Sequence, residues 1–367
     1  MPRTTQGSGR LGPVAFAVVG GGWRTQFLLR IAAAAPTRLR VAGIVTRRAE
    51  AGAALTARWA VPAYRSLDDL LRAQEVDFVV AAVSWSAMPD VVRDLVGRGI
   101  PVLAETPPAP DLEGLRALWA DVGGSGLVQV AEQYLLMPGH AARLAAVRAG
   151  VIGRPTSVEI SSTHLYHAVS IVRGLLDVGL GEVAVDARTF TAPLVDPVGF
   201  DGWDPQAAPE PRTTTIATLD FGGSMGLYDF VDNQWWNPLR ARRLVVRGSI
   251  GEIVDDTVVR LAEPTAAVES SLVYRRTGID LNLEGNDLVH VSLDGRVVYR
   301  NPWVGTRLSE DDIAVASLLA AQGAWTRGDG PEPYPLAQAC QDHAIGLAIV
   351  ESARVRSEVR VAREPWA

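Results

Sequence analysis

A glycine-rich turn near the N-terminus is the first segment whose residue types and spacing could carry chemistry. The sequence Val-Val-Gly-Gly-Gly-Trp-Arg-Thr follows a short apolar run and precedes a helical pattern. Gly20 would permit a tight turn, and Gly22 would let the backbone approach a pyrophosphate at the N-terminus of the helix. The third position of this pattern, where glycine or alanine is usual, holds threonine. We therefore predict a dinucleotide site that includes Gly20, Gly22, Trp23, Arg24 and Thr25, the alternative being a purely structural turn.

Thr46, Arg47 and Arg48 come directly after the second apolar run. Proteins that bind NAD commonly carry an acidic residue there to hold the ribose hydroxyls. A hydroxyl and two guanidinium groups suit a 2′-phosphate instead, because arginine binds phosphate oxygens bidentately. NADP is therefore the predicted cofactor, with NAD as the second choice. The alternative is that both arginines are simply solvated at a strand end.

Residues 164–167 have the sequence His-Leu-Tyr-His. Histidine titrates near neutral pH without perturbation, so His167 could act as a general acid or base while Tyr166 or His164 positions a substrate oxygen. On an extended segment His164 and Tyr166 would share a face; on a helix that begins near residue 164, His164 and His167 would share one. The sequence leaves both geometries open, and a third interpretation is that these are ordinary, partly buried histidines. The remaining histidines are isolated and there is no Cys/His cluster, so no metal site is predicted.

The elements that must position these residues differ between the two parts of the chain. Apolar runs alternate with helical patterns at first, which predicts a doubly wound parallel sheet. The predicted strands of this part are Val14–Val19, Arg40–Val45, Val76–Val83, Ile100–Glu105 and Gly126–Tyr134, and its helices include Ala49–Trp59 and Leu112–Trp119.

Strand patterns dominate after a helix that ends at Gly150, and their turns predict a largely antiparallel sheet. The predicted strands are Thr156–Ser162, Glu182–Thr191, Thr213–Leu219, Ser224–Phe230, Arg243–Arg247, Thr257–Leu261, Ser270–Tyr274 and Leu288–Val291. Residues Val195–Arg212 are rich in proline and glycine and predict a loop that could act as a lid. Two helices, Ser309–Trp325 and Pro335–Arg356, close the chain.

Composition limits the classes of protein that fit. A chain of 367 residues can form two domains. Its net charge of −6 argues against a nucleic-acid or anionic-membrane partner. The single cysteine fits a reducing compartment, and no segment has the length of a signal peptide core or a membrane span, so a cytoplasmic protein is expected. All 35 basic residues are arginine, so no lysine is available for catalysis.

Several segments together resemble the glucose–fructose oxidoreductase / inositol dehydrogenase (Gfo/Idh/MocA) family over nearly the whole chain. They are FAVVGGG, WAVPAYRSLDDLLRAQEVDFVVAAV, GRGIPVLAETP, AGVIGRPTSVEIS and AIVESARVRSEVRV. The resemblance implies an α/β protein: a Rossmann domain over residues 13–135 after a flexible segment 1–12, and an α+β domain over 136–334. Residues 335–367 would add a closing helix and strand. The second domain's large, mostly antiparallel open sheet would support a homodimer or homotetramer.

The resemblance also implies where the reaction would take place. Members of the family mostly move a hydride between a nicotinamide and a sugar, polyol or related small molecule. Their fourth strand usually ends in Glu-Lys-Pro, which matches Glu105, Thr106 and Pro107, so a threonine stands at the lysine position. A second family signature places an aspartate four residues before a histidine; here Thr163 precedes His167. Threonine can donate a hydrogen bond but is not a base near neutral pH.

Three functions remain open from the sequence. The first is an NAD(P)-dependent oxidoreductase that relies on His167, and the second is a related enzyme that reduces a C=N or activated C=C bond. The third is a catalytically silent NAD(P)-binding sensor or partner protein. We further predict Ser84 beside the cofactor and a substrate pocket that includes Gln133, Tyr134, Arg173, Asn233 and Trp236. For Arg173 the alternatives are a solvated arginine and an intramolecular salt bridge. For the tryptophan-rich segment Tyr228–Pro238 the alternative is a subunit interface.

Overall fold

A computed structural model describes residues 12–199, 202–279 and 285–367. The predicted flexible segment 1–12 lies outside the described residues except for Gly12. The chain divides into two compact units, which we describe separately. The first unit contains the described residues up to Met137 together with Arg276–Leu288 and Asn301–Cys340; the second contains Pro138–Arg275, Val289–Arg300 and Gln341–Ala367. No helix in these described ranges is long and apolar enough to cross a membrane.

Strands and helices alternate in the N-terminal part of the first unit. The strands are β1 (Val14–Val19), β2 (Leu39–Val45), β3 (Ala63–Tyr64), β4 (Phe78–Ala81), β5 (Val102–Ala104) and β6 (Val128–Val130). The helices are α1 (Trp23–Ala34), α2 (Ala49–Trp59), α3 (Leu67–Ala73), α4 (Met88–Gly97) and α5 (Leu112–Val122), with single 3-10 turns at Gly123–Ser125 and Tyr134–Leu136. The predicted fifth strand, Gly126–Tyr134, is thus much shorter, because the chain enters a 3-10 turn at Tyr134.

The six strands form one parallel sheet in the order β3-β2-β1-β4-β5-β6, which confirms the predicted doubly wound sheet. Its apolar strands are buried on both faces, and the ring of Phe16 on β1 stacks on that of Phe78 on β4 with centroids 5.6 Å apart. The strand order reverses between β1 and β4. In open α/β sheets such a reversal leaves a crevice beyond the carboxyl ends of the strands, where ligands bind.

The second unit and the rest of the chain contain the remaining elements. The helices are α6 (Pro138–Arg148), α7 (Leu165–Leu176), α8 (Glu310–Thr326) and α9 (Leu336–Val355). The strands are β7 (Pro155–Ser161), β8 (Val183–Val195), β9 (Val198–Gly199), β10 (Gly202–Trp203), β11 (Pro209–Asp220), β12 (Met225–Val231), β13 (Arg243–Gly248), β14 (Gly251–Val254), β15 (Thr257–Glu263), β16 (Ala266–Ser271), β17 (Val273–Thr277), β18 (Asp287–Leu293), β19 (Arg296–Arg300) and β20 (Val359–Val361).

Nine of these strands form a sheet in the order β16-β15-β14-β13-β7-β12-β11-β8-β20. Only β7 and β12 pair in parallel; the other neighbours in this sheet are antiparallel, as predicted. The predicted strand Ser270–Tyr274 is wrong as one element, because the chain leaves this sheet after Ser271 and starts β17 of a three-stranded sheet at Val273.

The predicted loop Val195–Arg212 is also largely wrong. Strand β8 continues to Val195, and β11 already begins at Pro209, so the segment extends a long hairpin and carries the small β9–β10 pair at its tip. The prolines that suggested a loop are tolerated because β12 pairs with β11 only from Thr214 onward. Pro209 and Pro211 therefore have a strand neighbour on one side only, where a missing N–H donor costs little.

Candidate functional site

The glycine turn after β1 lies where the strand order reverses. Gly20 has a φ of 136°, and a Cβ atom there would lie only 2.1 Å from the backbone oxygen of Ala82, which follows β4. Only glycine fits so close an approach. A Cβ at Gly22, by contrast, would meet nothing within 4 Å, so the space outside this residue is open. The turn thus brings the chain backbone to the edge of the crevice without filling it.

Helix α1 begins directly after Gly22, which is its N-cap and provides no side-chain cap. The N–H groups of the first helical turn can therefore bind an anion, and the helix dipole favours negative charge there. Thr25 is fully buried, and its hydroxyl has no hydrogen-bond partner among the described residues. It therefore fills the space between helix and strand that a smaller residue usually occupies. Trp23 is 61% exposed. The arrangement fits the pyrophosphate of a dinucleotide.

Arginines surround the end of β2. The hydroxyl of Thr46 donates to the backbone oxygen of Arg48 at 3.0 Å, which tightens the turn and leaves Thr46 buried. Arg47 and Arg48 are exposed. Arg65, which the sequence analysis missed, donates from Nη2 to the backbone oxygen of Arg47. Its position directly after β3, the neighbour of β2, is the signal that could have identified it.

Polar side chains also follow β4 and β5. Ser84 is exposed, and its hydroxyl lies 3.4 Å from that of Ser86. The carboxylate of Glu105 accepts a hydrogen bond from Nε of Arg24 at 2.7 Å. Thr106 is half-buried, and it precedes the buried Pro107 through a cis peptide bond. These predicted residues therefore lie at the carboxyl edge of the parallel sheet, and Arg24 reaches Glu105 from the first turn of α1.

The segment after β6 supplies further polar groups to the first unit. Gln133 is buried; its Nε2 lies 3.3 Å from the Asp311 carboxylate, and its Oε1 has no hydrogen-bond partner in the described part of the chain. The backbone N–H of Tyr134 donates to the buried carboxylate of Glu132. Sequence analysis missed Glu132 and Asp311, because the latter lies on α8, far away along the chain.

The His-Leu-Tyr-His segment forms an aromatic cluster in the second unit. Helix α7 begins at Leu165 with His164 as its N-cap, so the helical alternative is the one observed. The ring centroid of His164 lies 5.2 Å from that of His167 and 5.2 Å from that of Tyr166. The Tyr166 and His167 rings are 4.4 Å apart. All three predicted side chains are therefore close together. An extended segment would bring only His164 and Tyr166 together, and a regular helix only His164 and His167.

An unusual backbone conformation starts this helix. Leu165 has a φ of 37°, which is strained for a residue with a side chain. Its N–H donates to the hydroxyl of Tyr228 on β12 at 3.2 Å. Gly346 on α9 allows a close approach, since a Cβ there would lie 3.2 Å from the backbone nitrogen of Tyr166. The neighbouring strand and helix thus hold the strained turn, and strain of this kind is common at functional sites.

Burial changes the proton affinity of this cluster. It lowers the pKa of His164 to about 3, with a further contribution from a charge on His167. Burial also raises the pKa of Tyr228. His164 is therefore neutral at physiological pH and can donate or accept a hydrogen bond, but it cannot supply a proton as an imidazolium.

Aromatic residues from the tryptophan-rich segment Tyr228–Pro238 and from α9 complete the cluster. The Trp235 ring lies 5.1 Å from that of His164 and stacks on Phe230 at 5.1 Å. His343 on α9 lies 5.5 Å from Tyr166, so it is not isolated as expected. The tryptophan-rich sequence gave a signal for Trp235 and Phe230, but His343, a single histidine on a distant helix, gave none.

The other predicted substrate residues of the second unit lie in different settings. Asn233, with a φ of 63°, donates from Nδ2 to Asp196 at 2.7 Å, in the turn that also carries Trp236. Arg173 is fully buried, and its Nη1 lies 2.5 Å from the Asp342 carboxylate on α9. This is the internal salt bridge weighed as the alternative, so an anion could bind Arg173 only by competing with Asp342. In the described residues, no group of three or more histidine, cysteine, aspartate or glutamate side chains could hold a metal ion.

Comparison with known protein families identifies the nucleotide-binding region. Residues 14–132 match the GFO_IDH_MocA family, described as an oxidoreductase family with an NAD-binding Rossmann fold. The match covers the parallel sheet and its helices, so this part of the chain is similar to the NAD-binding region of that family. This confirms the family that the sequence motifs suggested. A comparison with curated proteins gives no match.

Solved structures share the fold over nearly the whole chain. A myo-inositol dehydrogenase from Corynebacterium glutamicum is 20% identical, with 95% of this chain and 99% of that chain covered and a TM-score of 0.66. An oxidoreductase from Agrobacterium radiobacter, in complex with NAD+, L-tartaric acid and magnesium, is 16% identical, with 94% and 98% covered and a TM-score of 0.66. A putative NADPH-dependent oxidoreductase from Desulfitobacterium hafniense is 12% identical, with 95% and 98% covered and a TM-score of 0.67. At these identities the likeness shows a common fold.

Proposed function

We propose that this chain is an NAD(P)-dependent oxidoreductase that transfers a hydride between a nicotinamide and a small sugar-like, polyol, carbonyl or imine substrate. The observation that carries this proposal is the close approach of Gly20 to Ala82 beside the uncapped N-terminus of α1. That arrangement suits a pyrophosphate, and it lies within the region that matches an NAD-binding oxidoreductase family. The neighbour named as a myo-inositol dehydrogenase supports the polyol class.

NADP is the proposed preferred cofactor. Arg47 and Arg48 are exposed at the end of β2, and their side chains make no hydrogen bond or ion pair with the described residues. Two such guanidinium groups can bind a 2′-phosphate, and Arg65 adds a third cation nearby. NAD stays the second choice, since the neighbours include one solved with NAD+ and one named as NADPH-dependent.

The acid–base chemistry is proposed to run through His167. The bound nicotinamide would supply the hydride acceptor or donor. Oxidation of an alcohol also needs a group that takes the hydroxyl proton, and His164 is too weak a base for this because burial lowers its pKa to about 3. His167 would accept the proton, while Tyr166 and His164 would orient the substrate oxygen. The Thr106 hydroxyl would donate a hydrogen bond only.

A homodimer or homotetramer is proposed through the nine-stranded sheet. Phe190 on β8 and Ile216 on β11 are each about half exposed, and their strand register places them on the same face of the sheet. Exposed apolar side chains on one sheet face favour association with another subunit.

Titration of the protein with NADPH and with NADH, followed by nicotinamide fluorescence, tests the cofactor proposal. We expect both to bind and NADPH to bind more tightly. The double variant Arg47→Gln/Arg48→Gln should weaken NADPH binding by about tenfold or more and leave NADH binding nearly unchanged, because only the 2′-phosphate contacts are lost. Arg40→Gln, at an exposed arginine on β2 itself, serves as the matched control.

The same protein is then tested for consumption of NADPH on panels of aldehydes, ketones and imines, and for reduction of NADP+ by polyols and sugars. His167→Ala should lower turnover about a hundred- to ten-thousand-fold without loss of cofactor binding. His290→Gln provides a control in the second unit. Unchanged turnover in His167→Ala would remove the proposed role of this histidine.

A second function, a catalytically silent NAD(P)-binding sensor or partner protein, is favoured by one observation. The chain contains no lysine, and the residue between Glu105 and Pro107 is a threonine without acid–base capacity at neutral pH. Tight NADPH binding without consumption on any panel would support this function instead. If neither dinucleotide binds, both proposed functions are contradicted.

A further inference from the structure

Arg24 forms an ion pair at the carboxyl edge of the parallel sheet. It is the second residue of α1, immediately beyond the glycine turn, and its Nε donates to Glu105, which follows β5, at 2.7 Å. The two side chains are only 16% and 14% exposed. A cation in the first turn of a helix is disfavoured by the helix dipole, and the carboxylate of Glu105 offsets this cost.

Most of the hydrogen-bond donors of Arg24 are unused. A guanidinium group has five N–H donors, and Glu105 accepts from Nε only. Neither Nη1 nor Nη2 of Arg24 makes a hydrogen bond to any residue that the structure describes. Glu105 therefore holds the guanidinium by one edge and leaves its terminal fork open.

The charges around Arg24 keep it protonated. Burial alone would lower the pKa of its guanidinium, but Glu105 outweighs this, with smaller contributions from Asp311 and Tyr134, and the pKa is raised. Tyr134 follows β6 and Glu105 follows β5. The open fork thus lies among side chains that extend beyond the carboxyl ends of neighbouring strands, the edge at which open α/β sheets bind ligands.

Arg30 on the same helix shows what a purely structural arginine looks like. Both guanidinium groups lie over the Phe27 ring, Arg24 at 4.9 Å and Arg30 at 5.0 Å from its centroid. Arg30, however, uses Nη1 and Nη2 together on the Asp312 carboxylate, at 2.9 and 2.6 Å. Its terminal fork is occupied within the chain, whereas that of Arg24 is not.

We propose that Arg24 is a catalytic residue whose Nη groups hold the reacting oxygen of the substrate beside the nicotinamide, with Glu105 as its positioning residue. This inference rests on the proposed oxidoreductase function and narrows its substrate to alcohols and carbonyl compounds. When the hydride and its two electrons form the new C–H bond, the C=O π bond breaks and its electron pair moves to the oxygen. A fixed cation stabilises that charge until an acid protonates the oxygen. An iminium substrate, itself cationic, would be repelled by the same group.

The addition of sulfite to bound NAD+ tests the inference without a substrate. The sulfite sulfur forms a C–S bond to C4 of the oxidised nicotinamide, and the ring loses its positive charge, which gives a new near-ultraviolet absorption. A cation beside C4 favours the approach of this anion. The experiment compares four proteins: wild type, Arg24→Gln, Arg24→Lys and Arg30→Gln. Each is saturated with NAD+ or NADP+, whichever binds more tightly, and is then titrated with sodium sulfite.

We expect Arg24→Gln to weaken adduct formation by about tenfold or more, because the nearby charge is removed, while cofactor affinity changes less than about threefold. Arg24→Lys should recover most of the effect, and Arg30→Gln should match wild type. If the cofactor binds and Arg24→Gln forms the adduct as well as wild type does, the inference is overturned and the oxidoreductase proposal stands. Loss of cofactor binding in Arg24→Gln would also overturn it, since Arg24 would then belong to the cofactor cradle. If the wild type binds no dinucleotide, the proposed function itself fails.

Discussion

His164 shows how burial can change what a residue type contributes. Its imidazole is enclosed by aromatic rings, with Trp235 at 5.1 Å and Tyr166 at 5.2 Å. The neutral ring is compatible with this apolar surrounding, but the charged ring would lose its hydration. Histidine normally titrates near neutral pH, but the fold keeps the His164 ring uncharged. The uncharged ring can orient a hydrogen-bonding partner, and it does not supply a proton.

This neutrality predicts a pH dependence of stability. The pKa of His164 falls from its usual value of 6.5 to about 3 in the folded protein. Between these two pKa values the unfolded chain binds a proton at His164 that the folded chain does not bind. The contribution of His164 to stability is therefore fully present above the higher pKa, and it is lost as the pH falls toward the lower one. At about pH 5 the loss from this residue is roughly 2 kcal/mol.

Urea unfolding at about pH 7 and about pH 5 measures this effect. His164→Gln should lose roughly 2 kcal/mol less than wild type between the two conditions, because the amide side chain does not titrate. His290→Gln, on β18, is the matched histidine-to-glutamine control. An equal loss in His164→Gln and wild type would mean that His164 is not held neutral by the fold.

The observed helices and strands match the sequence-based predictions where the local residue pattern and the tertiary pairing indicate the same structure. Helix α2 has the predicted bounds, because its amphipathic pattern and its position after a buried strand indicate the same structure. The segment Val195–Arg212 does not, because the partner that makes β11 a strand is β8, which no local pattern reveals. Likewise the sequence predicts the glycine turn and the His-Leu-Tyr-His cluster, but not Asp311 or His343, which distant helices bring to them.

The contact between α7 and α9 rests on a buried ion pair whose energy can be measured. Arg173 and Asp342 are each 3% exposed, and Arg173 also donates to the backbone oxygen of Gly179. Arg173→Met removes the cation beside a buried carboxylate and should cost about 3–5 kcal/mol of unfolding free energy. The double variant Arg173→Met/Asp342→Leu should recover most of this loss, since neither charge then remains to be solvated.

The exposed pair Glu351–Arg354 on α9 is the matched control. Arg354→Met should lower the unfolding free energy far less than Arg173→Met does, as is usual for solvated ion pairs. The variants are compared by urea unfolding at one pH. A small loss in Arg173→Met would show that the pair is not buried in solution, and Arg173 would then be available to bind an anion as the sequence analysis predicted.

At the scale of the whole molecule, the first unit depends on residues far along the chain. The sequence pattern marks residues 13–135 as one domain, and the structure adds Asn301–Cys340 to the same compact unit. Helix α8 packs so closely that a Cβ at Gly323 would lie 2.4 Å from Val14 on β1. Arg327, just after α8, binds the Asp77 carboxylate at 2.7 Å, and the backbone N–H of Val130 on β6 donates to Tyr334.

These contacts predict that residues 12–137 alone do not fold cooperatively. Removal of α8 exposes the surface that buries Ile313, Val315, Leu318 and Leu319. Each such side chain contributes about 1.5–3 kcal/mol, so the loss is comparable with the whole stability of a domain, about 5–15 kcal/mol.

Fusion of residues 301–340 to residue 137 through a flexible Gly/Ser linker of about 20 residues should restore cooperative unfolding and NADPH binding, because it resupplies α8. The same fusion with Leu319→Asp is the control and should stay unfolded, and circular dichroism during thermal unfolding distinguishes the three chains. Cooperative unfolding of residues 12–137 without α8 would contradict the prediction, because the sheet and its own helices would then be a sufficient core.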